Sequence, residues 1–352
     1  MTTKTYRYYL LILLATTVYS GIKSADFGGV ITKYDVAGYI ADDIRLVSVN
    51  NQKGNTTIKG WQKDSIRIET TVSMETSSKK TASEIVENIY FTKEINNHNL
   101  QVSWKPNSDY QINIPLTISY VIHIPESLIL RVNGSSGHLI IENITGGIDV
   151  AHEYGSAALS QIMSNTENKV SLKSSNANII DSKNLNIKGE NCQLYIRNCN
   201  ELVLNTMYTN HNLQNIRKLD CISNYSKFNI PEIEEIQMTG KGSRIEIGKL
   251  TKYGLIELDK GSININEIDP GVTELNIANI EAPIELHVRE SMPFFINGQN
   301  EQGGIVYPWP DKIRIINDLS TTSFSGQNGA VNSLSTKLIL FNQLSTIQII
   351  AK

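Results

Sequence analysis

The sequence predicts an all-β fold, a parallel β-solenoid of about nine short coils closed at both ends by β-rich caps. Three observations predict it. The first is a spacing of seventeen residues between Leu185 and Lys252: Leu185, Leu202, Leu219 and Ile236 share one seat, and Ile187, Leu204, Cys221 and Met238 share the next. Three more seats hold Leu194, His211, Phe228 and Ile245; Ile196, Leu213, Ile230 and Ile247; and Cys199, Ile216, Ile233 and Leu250. Pairs at i and i+2 have strand periodicity, and the jump of three to the last seat requires a bend. The second is small residues at the bends, in the columns Gly189, Thr206, Ser223, Gly240 and Cys192, Thr209, Ser226, Ser243. The third is looser continuation outward, through Leu139, Ile141, Ile144, Leu159, Ile162, Ala177 and Ile179, and then Ile263, Ile265, Ile268, Ile284 and Leu286. One coil cannot bury its inward face alone, whereas a neighbour stacked about 4.8 Å away completes both the backbone hydrogen bonds and the apolar column. The competing fold is an antiparallel β-sandwich, which also uses short alternating strands but does not require a constant register.

In chain order, Lys4 and Arg7 precede the apolar run "YYLLILLATTV" and the small residues Ser20, Gly21, Ser24 and Ala25. This pattern predicts a secretory signal peptide over 1–24, cut after Ser20 or Ser24. The run falls short of the roughly 20 residues of a spanning helix. Neither cut leaves a cysteine first, so no lipid anchor is expected there, and no later segment reads as a span.

Residues 25–125 are expected to form an N-terminal β region and cap. Within it, Val47–Trp61, "VSVNNQKGNTTIKGW", resembles a single coil, and "SIRIETTVSME", "NLQVSWK" and "LTISYVIHIPE" read as longer alternating strands. "TASEIVENIYF" is compatible with a helical turn or two, or with a strand. The repeats proper are placed at 126–290, and an aromatic excursion, "RESMPFFINGQNEQGGIVYPWPDK", opens the segment 291–352. The tail "NSLSTKLILFNQLSTIQIIAK" is expected to cover the solenoid's open end, because unpaired strand edges invite association.

The order "GNTTIKGW", an alternating strand, "VIHIPESLILRVNGSSGHLIIENITGGIDV" and then repeated short strands resembles an exported bacterial β-strand-repeat family labelled "putative adhesin" or adhesin head-like. The resemblance covers most of the mature chain. It implies a β-solenoid or β-roll of the cell envelope, in the periplasm or at the cell surface, with some members tied to envelope stress or surface attachment. It carries over no catalytic residue.

Composition excludes some classes of function. Charged residues make up 19% and the net charge is −3, so no positive field gathers nucleic acid. The three cysteines, Cys192, Cys199 and Cys221, match no zinc spacing and cannot all pair with one another. His98, His123, His138, His152, His211 and His287 are scattered, so neither a metal nor a cofactor is expected. "GKGS" at Gly240 lacks the spacing of a phosphate loop and reads as a corner. "HEYGSA", His152 to Ala157, gathers His, Glu and Ser, yet adjacent strand residues point to opposite faces and make no triad. Glu232, Glu234 and Glu235 fit either the carboxylates of a glycan-cleaving solenoid or, more commonly, a solvated edge with Ile233 alone turned inward.

What remains is contact surface. Tyr208 and Tyr225 share a corner column and stack one coil apart, either to hold a ligand or to stiffen the corner. Phe294, Phe295, Tyr307 and Trp309 form a second candidate, or else a cap that closes the end. The expected function is therefore a non-enzymatic exported envelope protein, an adhesin-like binding or scaffold solenoid whose partner is an envelope glycan or protein. The alternative is a polysaccharide-active solenoid enzyme, recognisable by acidic or basic residues of successive coils converging on one outward face.

Overall fold

The computed structural model describes residues 23–24, 30–76, 78–107, 112 and 114–352. The expected signal peptide lies outside the described residues except for Lys23–Ser24, which pair antiparallel with Thr32 and Ile31. The described residues are nearly all β, with 71% strand and 3% helix, so interstrand hydrogen bonds carry the backbone. It divides into two compact units, Met1–Asn176 and Ala177–Lys352.

In the second unit the seventeen-residue spacing is a register. Strand Gln193–Met207 pairs parallel with Asn210–Asn224, joining Leu194 to His211, Leu202 to Leu219 and Leu204 to Cys221. Asn210–Asn224 pairs in turn with Lys227–Ile265, joining His211 to Phe228, Leu219 to Ile236 and Cys221 to Met238. The side chains of all these seats are buried, which is what alternation along each strand and stacking between strands require. His211 takes its place in an apolar column by stacking on Phe228, ring centroids 4.0 Å apart, and by bonding both nitrogens. Nε2 meets Thr206 Oγ1 at 3.1 Å and Nδ1 meets Lys227 O at 3.1 Å. Burial lowers its pKa to about 4, so the ring is neutral near pH 7. Cys192, Cys199 and Cys221 are buried fillers, and burial pushes the Cys199 thiol up to about 11.

The corners explain the small hydroxyl residues. The Thr209 hydroxyl donates to Met207 O at 2.9 Å and accepts from the Cys192 N–H at 3.4 Å. The Thr209 N–H itself donates to Ser226 Oγ at 3.1 Å, and the Ser226 N–H to Ser243 Oγ at 3.2 Å. Each buried corner amide is thus satisfied by the hydroxyl one rung on, a task that an apolar residue cannot do.

Further along, Tyr253–Asp259 pairs parallel with Glu274–Ile280, and Ile263–Ile265 with Ile284–Leu286. The next rung is not the next segment of chain. Glu274–Ile280 pairs with Thr336–Gln343, and Ile284–Val288 with Ile347–Ala351. Only on the far side of this rung do Phe294–Glu301 and Ile305–Val306 pair with it. The tail expected to be an end cover is therefore an interior rung, with Leu338, Leu340, Ile347 and Ile349 buried. A ladder bonds any strand of matching alternation regardless of chain order, so sequence position did not reveal it. The cover is instead a hairpin: Thr321–Asn328 pairs antiparallel with Phe294–Glu301 and, on its other edge, with Ile313–Asp318.

The first unit has the same reversal. Leu46–Asn51 and Thr56–Trp61 form the expected single rung, but it lies between Asn99–Pro106 with Leu116–Pro125 on one side and Ile129–Ser135 with His138–Ile144 on the other. Antiparallel strands then close the outer rung: Ser65–Glu75 on Leu116–Pro125, Val30–Ile40 on Ser65–Glu75, and Ile89–Asn96 on Asn99–Pro106. "TASEIVENIYF" holds both of the alternatives weighed for it. Helix Lys79–Glu87, capped by Ser78 accepting from the Thr81 N–H at 3.2 Å, buries Ala82, Ile85 and Val86, and a strand begins at Ile89.

Candidate functional site

At one corner of the second unit, every rung passes through a left-handed residue. These are Asn191 (φ 56°), Tyr208 (52°), Tyr225 (53°), Gly242 (65°), Lys260 (66°), Glu281 (51°), Leu344 (60°) and Gln302 (52°). The backbone N–H of Tyr208 donates to Asn224 O at 3.0 Å, and the N–H groups of Tyr225, Glu281 and Leu344 donate in the same way to Lys241 O, Gln343 O and Glu301 O. Asn and Gly adopt this conformation at low cost, whereas tyrosine does so against about 1–2 kcal/mol of steric opposition. Tyr208 and Tyr225 nevertheless occupy it, 56% and 48% exposed, with ring centroids 5.4 Å apart and planes 14° from parallel. The Tyr225 ring lies over Gly242, where a Cβ would come within 2.6 Å of it.

Beside this column, the rungs leave a groove of about 590 Å³ on the outward face. Two rows of side chains cross it in register. One row runs Glu257, Ala278, Phe341, Gln299, and the other runs Asp259, Ile280, Gln343, Glu301. Thr239 and Gly240 complete the wall. Ala278 is the small residue between Glu257 and Phe341, so the row dips there and forms a notch with a carboxylate on one side and an aromatic ring on the other. Phe341 is 44% exposed and Ile280 45%. Behind the rows Asn279, Asn342 and Asn300 share an inward column, and Asn300 Nδ2 fixes the turn by donating to Gly304 O at 2.7 Å and Ser345 O at 3.0 Å.

Charge in the groove is uneven. Lys241 Nζ lies 2.9 Å from Asp259, and this hydrogen bond holds the Asp259 carboxyl below the usual range. Lys260 pairs with Glu281 at 3.2 Å. Glu257 and Glu301 stand exposed, and no lysine or arginine belongs to the groove wall. Sequence reading missed this site because its residues come from five segments between Thr239 and Gln343, brought together only by the reordered rung. The signal present in the sequence was the alternation in "TKLILFNQ", which fits a stacked strand as well as a cover.

The residues singled out from sequence distribute as follows. Tyr208 and Tyr225 are stacked and exposed, at the edge of the column that borders the groove. Phe294 and Trp309 are buried, 1% and 6% exposed, with ring centroids 5.4 Å apart, so they close the interior and offer no contact surface. Phe295 remains 37% exposed and Tyr307 half-buried. In "HEYGSA", His152 is buried and its Nε2 meets Gly137 O at 3.3 Å, while Ser156 Oγ instead meets His138 Nδ1 at 2.6 Å. The His, Glu and Ser of that motif are not brought together as a triad. Glu234 bonds Lys252 at 2.5 Å, and Ile233 alone of its neighbours is buried. Gly242 of "GKGS" is a corner residue. Among the described residues, no three His, Cys, Asp or Glu are placed to hold a metal ion, and no helix is long and apolar enough to cross a membrane.

No family model matches the chain, and no curated protein matches it. Two solved structures are similar. One is a putative cell adhesion protein from Clostridium sporogenes, 10% identical, with a TM-score of 0.20 over 91% of this chain and 100% of that one. The other is a putative adhesin from Parabacteroides merdae, 11% identical, with a TM-score of 0.35 over 90% of this chain and 96% of that one. The second carries the adhesin label of the family that the residues resemble, and the first is called a cell adhesion protein. At these scores they carry no argument about this chain.

Proposed function

We propose that the chain is a non-enzymatic exported protein of the bacterial envelope, periplasmic or at the surface, in which parallel β-solenoid rungs serve as a rigid scaffold for adhesin-like binding. The in-register parallel pairing at intervals of seventeen residues supports the solenoid. The single observation that carries the binding role is the groove, where an aromatic ring, an aliphatic side chain, two glutamines and carboxylates from successive rungs converge on one outward face. Ligand sites combine apolar walls with a few placed polar groups in this way. The stacked pair Tyr208 and Tyr225 is an accessory contact at the same corner column.

The test is retention of the purified protein on isolated envelope material. Ala278→Trp, at a half-buried outward position, fills the notch without entering the core. Retention is expected to fall sharply while the urea midpoint stays within error. Unchanged retention would remove the groove from the function.

A second reading has one observation in its favour. Glu257, Asp259 and Glu301 converge from different rungs, as a polysaccharide-active enzyme would require. Against it, Asp259 is engaged by Lys241, and Glu257 and Glu301 lie open to water instead of enclosed about a scissile bond. The binding reading expects no turnover of envelope polysaccharide. Turnover abolished by Glu257→Gln or Glu301→Gln would replace it with the enzymatic one.

A further inference from the structure

We infer that the groove takes a saccharide bearing free amino groups. This rests on the binding reading above and adds the ligand's chemical class. The notch at Ala278 sets a carboxylate, Glu257, against the ring of Phe341, and Glu301 stands at the far end of the neighbouring row. A protonated amine is attracted by both kinds of wall, by Coulombic attraction to the carboxylates and by the negative face of the ring. The two lysines nearest in register are neutralised by Asp259 and Glu281, so the field at the notch is set by Glu257 and Glu301.

The remaining groups fit the rest of a sugar. Gln343 and Gln299 each offer a donor and an acceptor to hydroxyls, and Ile280 and the Phe341 ring give apolar area for the C–H face of a pyranose. An acidic polysaccharide meets like charge at both ends of the groove. A neutral one leaves two carboxylates without a partner, losing part of the available attraction.

The experiment compares glucosamine oligosaccharides, their N-acetylated counterparts of equal length, a polyuronate and oligolysine, by calorimetry at low and at physiological salt. Glucosamine oligomers are expected to bind roughly tenfold or more tightly than the acetylated series, more weakly as salt rises, with no binding of the polyuronate. Glu257→Gln with Glu301→Gln is expected to remove most of that preference, and Phe341→Ala to weaken both series. Urea midpoints near that of the parent chain confirm that the variants fold.

Equal or tighter binding of the acetylated or uronate chains overturns the inference, as does tighter binding of oligolysine, which would make the site a receptor for basic peptides. If Ala278→Trp abolishes retention on envelope material while glucosamine oligomers do not bind the parent chain, the groove keeps its function and only the amine class falls. If Ala278→Trp leaves retention intact, the groove itself is excluded and the inference falls with it.

Discussion

Replacing Tyr208 and Tyr225 together by asparagine separates contact from scaffolding. Both tyrosines hold a left-handed backbone that Asn191 holds in the same column. Asparagine there relieves steric opposition of about 1 kcal/mol at each position. Against this stand the ring stack, worth about 0.5–1.5 kcal/mol, and the apolar area that the half-exposed rings still cover. At about 50 Å² of lost apolar burial per ring and about 25 cal/mol per Å², that area is worth about 2.5 kcal/mol for the pair. The balance is a loss of about 1–2 kcal/mol, clearly below the 3–5 kcal/mol or so expected for Phe228→Ala at a site only 3% exposed. Urea midpoints of the two variants give the comparison, and retention on envelope material, per folded molecule, gives the function. The pair variant should lose no more than about 1–2 kcal/mol and be retained less. If it is as destabilised as Phe228→Ala while retention is unchanged, the tyrosines are corner stiffeners and the strain argument is refuted.

Leu340→Ala should lower stability by about 3–5 kcal/mol, since Leu340 is buried in the inserted rung between Ile277 and Gly298, whereas Phe341→Ala on the outward face should cost about 1 kcal/mol; comparable urea midpoints would contradict the interior placement. Gly298→Ala places a Cβ 2.2 Å from Leu340 O and 2.3 Å from the Phe324 ring and should destabilise severely, while Gly304→Ala meets nothing within 4 Å and should be near neutral by thermal melting. His211 has a folded pKa of about 4 against about 6.5 unfolded, so the unfolded chain takes up the proton first. Its contribution is complete above pH ~6.5 and is lost at up to ~1.4 kcal/mol per pH unit as pH falls toward about 4. Urea midpoints from pH 7.5 to 4.5 should show a shallower fall in His211→Leu, with a residual slope from His152, whose pKa burial also lowers.

The repeat was legible because stacking copies the same alternation from rung to rung, and the seats from Leu185 to Leu250 could be read by adding seventeen. The small corner residues were legible too, although the relay through Thr209, Ser226 and Ser243 was not, because periodicity shows size and polarity but not which amide a hydroxyl reaches. The burial of His211 could be inferred from the company of Leu194, Phe228 and Ile245 in its seat. The groove could not. Phe341 and Gln299 are neighbours in space only because Thr336–Gln343 inserts before Phe294–Glu301, and alternation carries no information about which strand it will pair with. Phe294 and Trp309 were open to two readings, a contact surface or an end-closing cap, and their burial agrees with the second.

The reordered rung also fixes when the groove can exist. A chain made from its N-terminus presents Glu257, Ala278 and Gln299 well before Phe341 and Gln343. Until Thr336–Ala351 slots between its two neighbours, Gln299 has no common face with Glu257 and Ala278. The pairing that completes the groove joins Glu274–Ile280 to a segment far along the chain, and such long-range closure is a slow step of folding. Under the envelope role proposed above, a partly made chain carries no complete groove, and recognition begins only when the whole polypeptide has closed upon itself.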